Sequence, residues 1–164
     1  MKTHEEYMEL ALEEARKAEE IDEVPVGCVI VCDGEVISRG HNLKEQLNQA
    51  YAHAEMMAIQ KAAEVKGNWC LNDCDLYVTL EPCMMCTGII NLSRIRTVYY
   101  GTTDPKGGCL ETVIDLKKIN RLNHYPNIVG NILQKECSEI LTNYFQKKRE
   151  ITKEKKQKNK ANIQ

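Results

Sequence analysis

Two short words, Ala52-His53-Ala54-Glu55 and Glu81-Pro82-Cys83-Met84-Met85-Cys86, restrict the fold of this 164-residue chain more than anything else in it. One imidazole and two thiolates make up the three protein ligands of a zinc ion that keeps its fourth position for water. The fold must therefore bring His53 beside Cys83 and Cys86 across an intervening span that holds one helix and one strand. Cys83 and Cys86 on their own read as structural zinc or a redox pair at least as readily. The addition of His53 and Glu55 tips the reading toward a catalytic ion.

The pattern along the chain predicts how that convergence is reached. From Thr3 to Glu20, Tyr7, Met8, Ala11, Ala15 and Ala18 recur at helical spacing. Val24 to His41 reads as two strands, joined by Asp33-Gly34 as a two-residue hairpin turn. A helix is predicted from His53 to Val65, with Met56, Ile59 and Ala63 facing the core and Gly67-Asn68 ending it. A strand over Asp75–Thr79 leads to Pro82, which opens a helix carrying both cysteines. Ile95–Tyr100 is a strand stopped by Gly101, and Thr102–Gly108 is a loop. A short helix near Glu111–Lys118, a weak strand around Ile128 and an amphipathic final helix follow. That helix carries the apolar stripe Leu133, Cys137, Ile140, Leu141, Tyr144 and Phe145. The expected architecture is α/β, a three-layer α/β/α sandwich around a mixed five-stranded sheet. Sites in such sheets lie at the carboxyl ends of strands, where the next helix begins.

Both metal-binding words sit at such helix starts. Two thiolates cancel the charge of a divalent ion, and the positive ends of two helix dipoles offset the further negative charge of an ionised water. The same field favours thiolates over thiols. Glu55 lies two residues from His53, a spacing that does not share a face on an ideal helix. Its predicted place is the first turn, where the backbone is still bending. There it can accept a proton from the activated water and return it to the reacting group.

Composition narrows the setting. With 43% apolar and 28% charged residues, the chain reads as one globular domain over residues 1–150. A basic tail follows over 151–164, expected to fray from about Thr152. No apolar run is long enough to cross a bilayer, and the first residues are acidic helix formers, so no membrane is expected and the cytoplasm is the default location. In that reducing compartment the eight cysteines do not form a disulfide framework, and only Cys83 and Cys86 have a spacing that asks for a metal. The formal net charge of −2 hides a polarity. Residues 1–23 carry nine acids and three bases, whereas 144–164 carry eight bases and two acids, a basic end suited to phosphate.

His-x-Glu followed by Pro-Cys-x-x-Cys is the signature of zinc deaminases acting on nucleobases. From about Met8 to Arg149 the chain resembles the bacterial tRNA-specific adenosine deaminases, within the cytidine deaminase superfamily. Beyond the metal words, the likeness rests on Glu23-Val24-Pro25-Val26-Gly27, Gly40-His41-Asn42 and Leu76-Tyr77-Val78-Thr79-Leu80. It continues through Ser93-Arg94-Ile95, Tyr100-Gly101, Asp104-Pro105-Lys106-Gly107-Gly108 and Asn123-His124. Ala50-Tyr51 stand where the family usually has Pro-Thr, and Leu110-Glu111 where it tends to have small residues.

The resemblance implies conversion of adenosine to inosine at the first anticodon position of an arginine tRNA, one zinc ion per subunit, and a homodimer that binds the anticodon stem-loop near its interface. It implies that Asn42 contacts the target nucleoside, and that Asp104, Lys106, Asn123, His124, Phe145 and Arg149 handle flanking nucleotides. Plainer readings stand beside these. Asn42 and Asp104 suit turns, His124 a loop, Phe145 the end of a core stripe and the lysines a solvated face. Deamination of a free base such as guanine or cytosine, and a non-catalytic zinc module that binds RNA, are the competing functions.

Overall fold

The structure is a computed structural model and describes residues 1–163; Gln164, the last residue of the basic tail, lies outside the described residues. Its elements in order are α1 (His4–Glu20), β1 (Gly27–Cys32), β2 (Glu35–His41), α2 (Lys44–Leu47) and α3 (Ala54–Lys66). They continue with β3 (Cys74–Leu80), α4 (Met84–Leu92), β4 (Thr97–Thr102), a 3₁₀ turn at Leu116–Lys118, β5 (Asn127–Val129) and α5 (Gln134–Ile163).

The five strands form one sheet in the order β2-β1-β3-β4-β5. β1 pairs antiparallel with both β2 and β3, while β3, β4 and β5 run parallel, so the sheet is mixed as expected. The hairpin turn places Asp33 at φ 51° and Gly34 at φ 81°, the left-handed pair that a two-residue loop between twisted strands needs.

All six residues of β1 are buried, because helices cover both faces of the sheet. Cys28, Ile30 and Cys32 pack with Ala54, Ala58 and Ala62 of α3 and with Leu76, Val78 and Ile90. Val29 and Val31, one residue out of phase, pack on the opposite face with Tyr7, Met8, Ala11 and Leu12 of α1 and Cys137 of α5. This is the α/β/α sandwich.

Gly27 and Gly40 set how close the helices come. A Cβ at Gly27 would lie 1.9 Å from the Ala11 carbonyl oxygen, and one at Gly40 would lie 2.5 Å from that of Ala54. The close approach at Gly40 corrects the core face predicted for α3. Ala54, Ala58 and Ala62, with Met57 and Ile59, are buried, whereas Met56 and Ala63 are only half-buried. Small side chains win that face because the backbones themselves nearly touch.

Other boundaries also shift. β4 continues through Gly101 to Thr102, since the missing side chain of Gly101 makes room for Cys137 of α5. The helix expected near Glu111–Lys118 is reduced to its last three residues; ahead of them the backbone N–H groups of Glu111 and Thr112 bond to Glu81, and those of Val113 and Ile114 turn back onto the Gly108 carbonyl. The tail expected to fray from Thr152 is helical through Ile163. Lysine, glutamate, glutamine and alanine propagate a helix well once packed residues upstream have nucleated it. Among the described residues, no helix is long and apolar enough to cross a membrane.

Candidate active site

His53 is the N-cap of α3, with extended backbone at φ −84° and ψ 157°, and Cys83 is the N-cap of α4 at φ −74° and ψ 178°. Neither side chain caps its own helix. Both turn outward to a common point. Pro82 therefore lies before the helix rather than opening it, and Cys86 reaches the same point from the first turn of α4. The His53 Nδ1 lies 3.6 Å from the Sγ atoms of both Cys83 and Cys86, and the three ligand atoms lie within 4.8 Å of one another.

The donors fit zinc chemically. A hydrogen bond from the Cys86 thiol, with others from His53 and the Cys86 backbone, outweighs burial and pulls the Cys83 thiol down to about 4. The resulting thiolate, together with burial, pushes the Cys86 thiol up. One proton thus leaves readily while the second is held, which is the state a divalent cation resolves by displacing that proton. A hydrogen bond to Cys83 raises the His53 pKa.

Glu55 is 4% exposed, and burial pushes its carboxyl up to about 7. The two-residue spacing from His53 is explained by the cap. His53 precedes the helix in extended conformation, so Glu55, at the second helical position, faces the same cavity without helical periodicity having to place it there. That cavity has a volume of about 270 Å³, near the low end for small-molecule sites, and is lined by Val26, Asn42, His53, Glu55, Cys83, Asp104 and Tyr144 among others.

A larger groove of about 670 Å³ shares Val24, Leu80 and Asp104 with the cavity and so continues it outward. Lys106, Phe145 and Arg149 line this groove. Phe145 is 44% exposed, whereas its neighbour Tyr144 is the buried member of the pair. Asn123 and His124 are placed elsewhere. The His124 ring is tied to the Ile95 carbonyl at 2.7 Å, its own carbonyl accepts from Asn91, and neither residue lines the cavity or the groove.

Two candidates have structural duties inside the site. Asn42 Oδ1 accepts from the Ala54 N–H, and Asp104 Oδ1 accepts from the N–H groups of Lys106 and Gly107, which fixes the turn that shapes the groove. Glu81, 2% exposed, organises the wall between them. Its carboxylate accepts from the N–H groups of Asp104, Leu110, Glu111 and Thr112 and from the Thr112 hydroxyl. Burial alone would raise the Glu81 carboxyl, but these bonds outweigh it and hold the pKa below the usual range.

Long-range packing adds residues that local patterns do not reveal. Tyr144 and Asp22 line the cavity and are bonded to each other at 3.2 Å. The charge polarity seen in the sequence is also partly cancelled. Lys148 pairs with Asp22 at 2.5 Å and Lys147 with Glu19 at 4.0 Å, whereas Arg149 makes no ion pair among the described residues.

Two dipole-bearing helix starts, a His-Cys-Cys ligand set and a buried carboxylate define a zinc-dependent deaminase domain, and residues 1–102 match the family model of the cytidine and deoxycytidylate deaminase zinc-binding region. The chain is 47% identical to a tRNA-specific adenosine deaminase of Bacillus subtilis, over 92% of this chain and 91% of the relative. It is likewise 47% identical to one of Agrobacterium fabrum, over 90% and 96%. A solved structure from work on A-to-I editing by tRNA:A34 deaminases aligns with TM-score 0.80 and 47% identity, covering 83% of this chain and 99% of the other. The chain belongs to the tRNA-specific adenosine deaminase family.

Proposed function

We propose that this protein hydrolyses the exocyclic amine of adenosine at the wobble position of a tRNA, yielding inosine and ammonia, and that an arginine tRNA is its substrate. The observation that carries this reading is the continuity of the cavity with a groove that presents Phe145, Lys106 and Arg149. A deaminase of free bases has no use for an aromatic surface and cations outside its pocket. An enzyme acting on one unstacked base of a loop needs both, to stack a neighbouring base and to hold phosphates.

His53, Cys83 and Cys86 would hold the zinc, which when bound would supply the Lewis acidity that makes a water nucleophilic near neutral pH. Glu55 takes one proton from the attacking water and delivers it to the purine ring nitrogen beside the reacting carbon, then takes the remaining proton from the newly attached hydroxyl and gives it to the amine as the carbon–nitrogen bond breaks. A carboxyl raised by burial suits a group that must accept and return a proton in one cycle. Asn42 positions the nucleoside, while Asp104, Lys106, Phe145 and Arg149 receive the flanking nucleotides.

The same reading includes a homodimer. Met84 and Leu92 of α4 are 67% and 63% exposed, and with Ile114, Ile119 and Leu122 they line an apolar hollow that a second copy would cover. Asn91 joins α4 to His124, so Asn123 and His124 border this face and are the residues through which a neighbouring subunit would meet the RNA. The cytoplasm suits both a tRNA substrate and eight free cysteines.

The test is incubation of the zinc-loaded protein with an arginine tRNA bearing adenosine at the wobble position, with free adenosine and guanine as controls. Inosine is expected in the tRNA alone. Turnover of the free compounds but not of the tRNA would overturn the reading, and absence of any turnover would favour a binding module.

A further inference from the structure

The end of β3 opposite the catalytic centre holds a second cluster of metal-ligating side chains. Cys32, the last residue of β1, stands directly opposite Cys74, the first of β3, in the antiparallel register. Asp73 straddles them: its Oδ2 lies 3.3 Å from Cys32 Sγ and its Oδ1 lies 3.4 Å from Cys74 Sγ. The three ligand atoms lie within 4.8 Å of one another, as do those of His53, Cys83 and Cys86. Neighbouring ligands of a tetrahedral ion bonded at about 2.0–2.3 Å are themselves roughly 3.5–3.8 Å apart, so little movement is needed.

We propose that Cys32, Asp73 and Cys74 form a second site for a soft divalent cation such as zinc, with water in the fourth position. Thiolates select such ions over magnesium or calcium. Both cysteines are buried, whereas the Asp73 side chain is 43% exposed and leaves a path for the ion and its water. The cluster already attracts positive charge. Lys66 places Nζ 2.5 Å from Asp73 Oδ2 and 3.6 Å from Cys32 Sγ. Lys66 is the last residue of α3 and can swing into solvent, so its ammonium is a competitor that the ion displaces. Some seven residues of β3 separate this cluster from the catalytic centre, about 20 Å of extended chain, so the two sites load independently. A bound ion would pin β1 to β3 and release two thiol protons.

The test counts zinc on the full chain kept reduced with a phosphine, by elemental analysis after gel filtration from excess zinc. Two ions per chain are expected in the native protein. Cys32→Ser with Cys74→Ser should retain one, together with deaminase activity. Cobalt loading should show thiolate-to-metal absorption in excess of that of this double variant. If the double variant does not fold, Asp73→Asn is the substitute, expected to weaken the second site by about tenfold or more while leaving the first unchanged. Lys66→Ala should tighten the second site. One ion per chain in the native protein, a second ion that survives the serine variants, or a cysteine pair that forms a disulfide and takes no zinc after reduction would each overturn the proposal.

Discussion

Asn42 Oδ1 accepts a hydrogen bond from the Ala54 N–H at 2.9 Å, tying the end of β2 to the first turn of the helix that carries His53 and Glu55. The bond supplies from a distance the cap that His53, turned toward the metal, cannot give. Loss of an N-cap acceptor costs about 1 kcal/mol. Asn42→Ala should therefore lower both thermal stability and deamination. Asn42→Asp keeps the acceptor but not the amide donors, so it should recover the stability and not the activity. Melting curves alongside inosine formation separate the two duties, and equal recovery of both would remove Asn42 from substrate binding.

Glu55 is close to the metal centre without being one of its ligands. Glu55→Gln should keep its zinc and lose roughly 10²–10⁴ in turnover, the usual worth of a positioned acid–base. Metal analysis and a single-turnover assay on the same preparation check this. Zinc loss in step with activity would place the carboxylate in the coordination sphere instead.

Glu81 holds the loop over residues 104–112 through five hydrogen bonds to one buried carboxylate. Because its pKa is depressed on folding, its contribution is complete above the ordinary carboxylate range. That contribution is lost as pH falls through Glu81's own, lower pKa. Hydrogen-exchange protection factors across this loop, corrected for the intrinsic pH dependence of amide exchange, should fall in acid before the sheet opens. Glu81→Ala should cost about 2–3 kcal/mol by stranding buried N–H groups, and Glu81→Gln should flatten the acid limb. Protection factors in this loop that stay constant through the acid range in the native protein would contradict the assignment.

The basic cluster at 147–149 is unequal. Lys148 and Lys147 are engaged by Asp22 and Glu19, whereas Arg149 lines the groove without an ion pair among the described residues. Arg149→Ala should weaken tRNA binding and reduce its salt dependence by about one phosphate contact. The lysine substitutions should do less. A salt titration of binding for each single variant gives the order, and a larger effect from Lys147 than from Arg149 would reverse it.

The metal centre was legible because its ligands come as short words at helix starts, where local sequence fixes both identity and direction. The layers and the hairpin were legible for the same local reason, since Tyr7, Met8, Ala11 and Asp33-Gly34 report their positions through spacing and turn chemistry. What local pattern cannot carry is contact between segments far apart in the chain. The core face of α3 depends on Gly40 in another element. The loop after β4 takes its shape from Glu81, and Tyr144 reaches the cavity because α5 packs back against Asp22. Cys32 meets Cys74 only through strand register, so no spacing in the sequence announces their proximity. The charge polarity was visible as composition, but its partial cancellation appears only when the two ends of the chain meet.

From Ile151 onward every described residue of α5 is exposed, and the helix advances about 1.5 Å per residue, so a lysine-studded rod projects roughly 20 Å beyond the groove. Such a rod adds no buried area to the domain. It enlarges the positively charged target that a polyanion can strike before it reaches the groove beside Arg149. Shearing it off would leave a catalyst as sturdy as before but slower to find its substrate, most visibly in dilute salt.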